Sequence, residues 1–210
     1  MILKNMRFSS ILLTCIACCL LAFTGSDSGY VCKIEKHRKK LDAAFRNPET
    51  SPMRENAKNF RGIEYFAPDA AYRVNARLEL TPDAIPFEMP TSNPAIRKQY
   101  VSYGILHFEL NGAPRQLRVY RSLKLAEMPE YRDHLFLPFT DLSSGRDCYG
   151  GGRYLDLKIP KNGAQIEIDF NLCYNPSCAY GDGWSCPIPP PENFLDTRVE
   201  AGPKNYEDHK

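Results

Sequence analysis

Residues 101–120 read VSYGILHFELNGAPRQLRVY, and this stretch decides the fold. Leu106, Phe108 and Leu110 fall on one side of an extended chain and Ile105, His107 and Glu109 on the other, because successive side chains of a strand point to opposite faces. Asn111-Gly112 supplies a turn and Gln116 to Tyr120 resumes the extended pattern, so the segment predicts a β-hairpin. Upstream, Tyr72, Val74, Ala76, Leu78 and Leu80 alternate with Arg73, Asn75, Arg77 and Glu79, which predicts another half-exposed strand. Downstream, Tyr154 to Ile159 are answered across Asn162-Gly163 by Gln165 to Phe170, which predicts a second hairpin. No helical crossover of the needed length separates these strands. The expectation is therefore a mainly β fold: one antiparallel barrel or sandwich-like domain with long structured loops.

Ahead of the strands, residues 30–45 carry Val31, Ile34, Leu41 and Phe45 at helical spacing, and Asn47-Pro48 ends the segment. This predicts an N-terminal amphipathic helix whose basic residues Lys33, Lys36, His37, Arg38, Lys39 and Lys40 form a solvated face. Earlier still, Lys4 and Arg7 precede an apolar and small-residue run from Phe8 to Gly25, the order of parts of a signal peptide. The run is short for a membrane span, and no basic anchor follows it directly. Ala17-Cys18 and Cys19 fit a loose lipoprotein cleavage site with a lipid anchor to the membrane, whereas Ala22 and Ser26 fit ordinary signal-peptidase cleavage. Both remain open, and either makes the chain exported: periplasmic, anchored at the outer surface, or secreted. The expected organisation is a leader over 1–25, a helix and linker over 26–62, a mostly β domain over 63–203 and a flexible tail over 204–210.

The chain has 27 basic and 25 acidic residues and a formal charge of +2, which gives no electrostatic footprint for nucleic acid. Of its eight cysteines, Cys15, Cys18 and Cys19 fall in the leader, leaving Cys32, Cys148, Cys173, Cys178 and Cys186. Cys178 and Cys186 are the expected disulfide, since Tyr180-Gly181-Asp182-Gly183 can turn the chain back between them. No cofactor is expected, with calcium or zinc left as the alternatives. The cysteine spacings are not those of a zinc site, and Asp and Asn residues that suit calcium lack the regular spacing of a calcium loop.

Two stretches lack strand periodicity, Pro129 to Gly152 and residues 171–193, and both mix aromatic, polar, Gly and Pro residues as side-chain-holding loops do. Within them and beside them lie Phe139-Thr140-Asp141, Tyr149-Gly150-Gly151-Gly152-Arg153-Tyr154-Leu155, Asp169-Phe170-Asn171, Tyr174-Asn175-Pro176, Cys178-Ala179-Tyr180 and Cys186-Pro187-Ile188-Pro189-Pro190-Pro191-Glu192-Asn193. In this order the set resembles the domain-of-unknown-function family numbered 1684, whose bacterial members often follow a signal peptide. The resemblance covers residues 36–202 and implies no established reaction. Leu172 and Cys173 depart from the arginine and alanine common in that family, which weakens any role for Cys173.

Read as chemistry, Arg153 follows three glycines and can grip a carboxylate or phosphate, or form a salt bridge to Asp141, Asp156 or Asp169. Asp141 and Asp169 are candidates for a paired acid and base, with Asn171 on the same strand face as Asp169. The alternative for these carboxylates is to hold backbone groups at a strand end. Tyr149 and Tyr174, with Tyr180 and Trp184, can line a small-ligand pocket or serve as core aromatics. The leading expectation is a noncatalytic exported protein binding a small polar ligand, glycan- or peptide-derived, through Asp141, Tyr149, Arg153, Asp169, Asn171, Tyr174 and Asn175. An extracytoplasmic hydrolase using Asp141 and Asp169 is one alternative; a structural or protein-interaction component of the cell envelope is another.

Overall fold

The computed structural model describes residues 24–206. The leader expected over 1–25 falls almost wholly outside the described residues, as do residues 207–210 of the tail. Helix α1 (Thr24–Arg46) is followed by a turn at Asn47-Pro48, where proline disfavours continuation. It lays Ile34, Leu41 and Phe45 toward the body of the protein, and Ile34 is fully buried. Arg38, one turn after Ile34, lies on that buried side and not on the solvated face expected for the basic cluster. Its guanidinium packs 4.4 Å from the centre of the Tyr65 ring and pairs with Glu35 at 3.2 Å, so the aromatic face and the neighbouring carboxylate offset part of its lost hydration.

The strands are β1 (Arg73–Leu80), β2 (Phe87–Pro90), β3 (Arg97–Leu110), β4 (Ala113–Ser122), β5 (His134–Asp141), β6 (Arg153–Lys158), β7 (Gln165–Asp169) and β8 (Phe194–Leu195). They form one sheet in the order β6-β5-β4-β3-β1-β7, with β2 added to β3 and β8 to β5; every pairing is antiparallel except the last. The β3–β4 hairpin turns at Asn111-Gly112 as the sequence predicts, with positive φ at both residues. The second predicted hairpin does not form. β6 pairs with β5 and β7 with β1, at opposite ends of the strand order. Residues 159–164, which join them, reach at most about 20 Å, so the two edges must curl toward each other into a half-barrel.

The main core gathers Ala76 and Leu78, Leu106 and Phe108, Leu117 and Val119, Leu135 and Leu137, Leu155 and Leu157, and Ile166 and Ile168 from all six strands of this path. A smaller cluster of Met89, Tyr100, Tyr120, Phe136 and Tyr154 occupies the opposite face of β2–β6. Alternation explains the split on β5 and β6, where Leu135 and Leu155 point one way and Phe136 and Tyr154 the other. On β3 simple alternation would place Tyr100 with Leu106. A bulge prevents this: Ser102 pairs with Tyr120 and Gly104 with Val119, leaving Tyr103 as an extra residue that flips the face. Gly104 also lets β1 pass close by, since a Cβ there would lie 2.5 Å from Glu79 O and 2.7 Å from Leu78 Cδ1.

Candidate functional site

The aromatic face of the sheet becomes the floor of a cleft. Phe136 stacks with Tyr100 at 5.6 Å between ring centres and meets Tyr154 edge-on at 4.8 Å, while Tyr154 in turn meets Tyr174 edge-on at 5.8 Å. Across this floor runs the segment 173–187, tied down by reciprocal backbone bonds of 2.9 Å between Tyr154 and Tyr174 and by the bond from Ser92 N–H to Cys186 O. The Tyr154 hydroxyl donates to Pro187 O and the Trp184 indole N–H to Pro52 O, so both rings are fixed and present apolar surface. Arg54 covers one face of Trp184, its guanidinium carbon 4.5 Å from the ring centre. Between floor and wall lies a cavity of about 600 Å³, a volume suited to a small molecule.

One polar group organises its rim. Asp156 Oδ1 accepts from the Tyr174 hydroxyl at 3.0 Å and from His134 Nε2 at 2.9 Å. A carboxylate only accepts, so Nε2 carries the imidazole proton. Asp156 Oδ2 has no partner among the described residues, and the side chain is 51% exposed, which leaves one carboxylate oxygen open to a ligand. Burial and then the charge of Asp156 push Tyr100 up to about 12, and the same causes raise Tyr174. Lys98 also lines the cleft and forms no ion pair among the described residues. Flat apolar walls with one free carboxylate oxygen and one free ammonium can hold a ligand in a fixed orientation. Among the described residues, no hydroxyl or thiol nucleophile is bonded to His134.

Of the residues singled out from sequence as a ligand site, Tyr174, Asn175, Tyr180 and Trp184 line this cleft, and Asp141, Tyr149, Arg153, Asp169 and Asn171 do not. Asp141 and Arg153 form an ion pair with both side chains fully buried. Arg153 further donates to Ala201 O and Val199 O, and Asp141 accepts from Ser143 N–H, so both are occupied inside the protein. This is the salt-bridge alternative for Arg153, with Gly152 fitting a left-handed turn at φ 86° beside Phe139 O and Pro189. Asp169 and Asn171 stand in a separate network: Asp169 Oδ1 accepts from the Tyr30 hydroxyl at 2.8 Å and from Asn171 N–H at 3.1 Å. Asn171 brackets Asp69, accepting its N–H at 3.0 Å and donating to its carbonyl at 2.8 Å, so the pair clamps α1 and the approach to β1 onto the end of β7.

Tyr149 packs beside the cluster of Met53, Phe60, Ala179 and Tyr180, and Asn175 spends its amide N–H on Lys204 O at 3.0 Å. Cys178 and Cys186 do come together, with Cys178 N–H 3.3 Å from the Cys186 sulfur, but as free thiols and not as the expected disulfide. The Cys178 sulfur is engaged instead by the Ser92 hydroxyl at 3.0 Å. Burial, reinforced by Cys178, pushes the Cys186 thiol up to about 12. No cluster of three metal-ligating side chains occurs among the described residues. His134 and Asp156 are the residues that sequence reasoning left out of its site; the signal was their position on the same strand face as Phe136 and Tyr154.

Residues 58–204 match the model of a family described as protein of unknown function (DUF1684). The chain belongs to this DUF1684 family. The match contains Lys98, Tyr100, His134, Phe136, Asp156, Tyr174 and Trp184, and begins after α1 and after Pro52 and Arg54. A solution NMR structure of an uncharacterized protein from Haloarcula marismortui shares 32% sequence identity with this DUF1684 protein at a TM-score of 0.65, covering 88% of this chain and 98% of that one. No curated protein matches the chain.

Proposed function

We propose that this DUF1684 protein is an exported, noncatalytic binding protein whose cleft holds a small polar ligand with an apolar or flat portion. The observation that carries the reading is Asp156: one oxygen is fixed by Tyr174 and His134, and the other is open beside aromatic walls. Fixing a carboxylate through two donors removes its rotational freedom before a ligand arrives, so less order is lost on binding. The site expected from sequence shifts accordingly, keeping Tyr174 and Asn175 and replacing the internal pairs by Asp156, His134 and Lys98. Export, with or without a lipid anchor, rests on the leader's basic residues and apolar run. A hydrolase working through Asp141 and Asp169 draws no support from this geometry, because the two carboxylates belong to different internal networks.

Trp184 is the single tryptophan of the chain and lines the cleft, so its emission reports occupancy directly. Titration with monosaccharides, short peptides and small aromatic acids is expected to give a saturable emission change for at least one class. Failure of every class to change the emission or raise the melting temperature would overturn the binding reading.

A further inference from the structure

Three features of the cleft bear on what it binds. The first is a pair of opposite charges, Asp156 on β6, which His134 engages through Oδ1 alone, and Lys98 on β3, which forms no ion pair among the described residues. Asp156 keeps Oδ2 open, since Tyr174 and His134 both use Oδ1. The Lys98 charge bears on the opposite wall, where it opposes the rise in the Cys186 thiol's pKa. The second is the wall itself. The polar handles of Tyr154, Tyr174 and Trp184 are consumed by Pro187 O, Asp156 and Pro52 O, so these side chains offer a ligand ring surface and no donors.

The third feature is separation. Asp156 is in register with Phe136 on β5, Phe136 with Tyr120 on β4, and Tyr120 with Ser102 on β3, four residues along from Lys98. Three strand spacings and that offset separate the two backbones by roughly 20 Å, and the reach of the two side chains leaves a gap on the order of 10 Å. With a hydrogen bond of about 2.8 Å at each end, a dipeptide, at about 3.5 Å per residue, spans the gap.

We infer that the cleft takes a short zwitterionic peptide, its terminal ammonium on Asp156 Oδ2, its terminal carboxylate on Lys98 and an apolar or aromatic side chain against Tyr100, Phe136 and Trp184. This rests on the ligand-binding reading of the cleft and gives it a substrate class. Each terminal charge meets one opposite charge, so each contact is a charge-assisted hydrogen bond beside a low-dielectric aromatic surface.

The test uses Ala-Phe and Ala-Ala-Phe, their N-acetylated and C-amidated forms, and glucose and N-acetylglucosamine, each titrated against the protein by Trp184 emission and calorimetry. The free peptides are expected to bind, with affinity falling about tenfold on N-acetylation and about tenfold on C-amidation, the worth of one charge-assisted contact in a partly exposed site. In Asp156→Asn, whose amide oxygen can still accept from Tyr174 and His134, free and acetylated peptides should bind equally; in Lys98→Met, free and amidated peptides should. Equal binding of free and capped peptides by the unaltered protein would overturn the inference. Saturable binding of the sugars without the peptides would overturn it while leaving a ligand-binding cleft intact. Silence from every probe, sugars included, would count against both.

Discussion

Tyr174 donates its hydroxyl proton to Asp156 at 3.0 Å from the segment that forms the cleft wall, while Asp156 itself stands on the strand that forms its floor. The bond therefore joins floor and wall and aims the free carboxylate oxygen at the same time. Tyr174→Phe keeps the ring and removes only the donor. It is expected to lower ligand affinity about tenfold and stability by about 1 kcal/mol, since the acceptor is half exposed and can turn to water. Calorimetric titration and urea unfolding measure the two effects; an unchanged affinity would show that the orientation of Asp156 does not matter.

Arg153 and Asp141 illustrate the opposite situation, a pair whose charges never reach solvent. Arg153→Met leaves the Asp141 carboxylate buried without its counter-charge and strands the carbonyls of Val199 and Ala201. Urea unfolding is expected to show a loss of about 3–5 kcal/mol. A loss below about 1 kcal/mol would mean that the pair is not closed to water.

Gly104 tests the sheet. Its substitution by alanine drives a methyl group into Glu79 O and Leu78, pushing β1 away from β3 at the bulge that turns Tyr100 toward the cleft. A destabilisation of about 1–3 kcal/mol is expected, together with a shift in Trp184 emission if the cleft floor moves. An alanine variant as stable as the parent would contradict the close approach of the two strands.

Most of the strands were legible because alternation is a local signal, and the Asn111-Gly112 turn was legible because its backbone needs a left-handed conformation. Asn162-Gly163 looked equivalent. Turn chemistry does not say which strands pair, and here the turn bridges the two edges of a half-barrel. β5 was hidden inside a segment whose prolines and charged residues suggested a loop, yet Leu135, Leu137 and Phe139 alternate along it. Missing that strand hid the face shared by His134, Phe136, Tyr154 and Asp156. Asp141, Arg153, Asp169 and Asn171 drew attention because paired carboxylates and a guanidinium after a glycine run suit a ligand or acid–base site. Their burial reflects internal pairing, which depends on partners as distant as Tyr30 and Ala201.

The tyrosines set an alkaline limit on the fold. Burial raises Tyr30, Tyr65, Tyr120, Tyr154, Tyr174 and Tyr180 above their ordinary value, and Tyr100 is pushed up to about 12. Each folded-state value exceeds the unfolded one near 10, so the unfolded chain releases protons first as pH rises. Their stability is fully present below about pH 10 and is lost progressively above it. The tyrosinate absorbance of these seven side chains is expected to rise together with loss of circular dichroism between about pH 10 and 12, not ahead of it. Full ionisation of a still-folded protein near pH 10 would contradict the buried aromatic floor.

The most direct test of the cleft as the binding site is an amide NMR map of the protein recorded with and without a mixture of sugars, short peptides and small aromatic acids. Shifts confined to Lys98, Tyr100, His134, Asp156, Tyr174 and the Trp184 indole are the predicted result. Shifts centred on Arg153 or Asp169, or an unchanged spectrum at saturating concentrations, would contradict it.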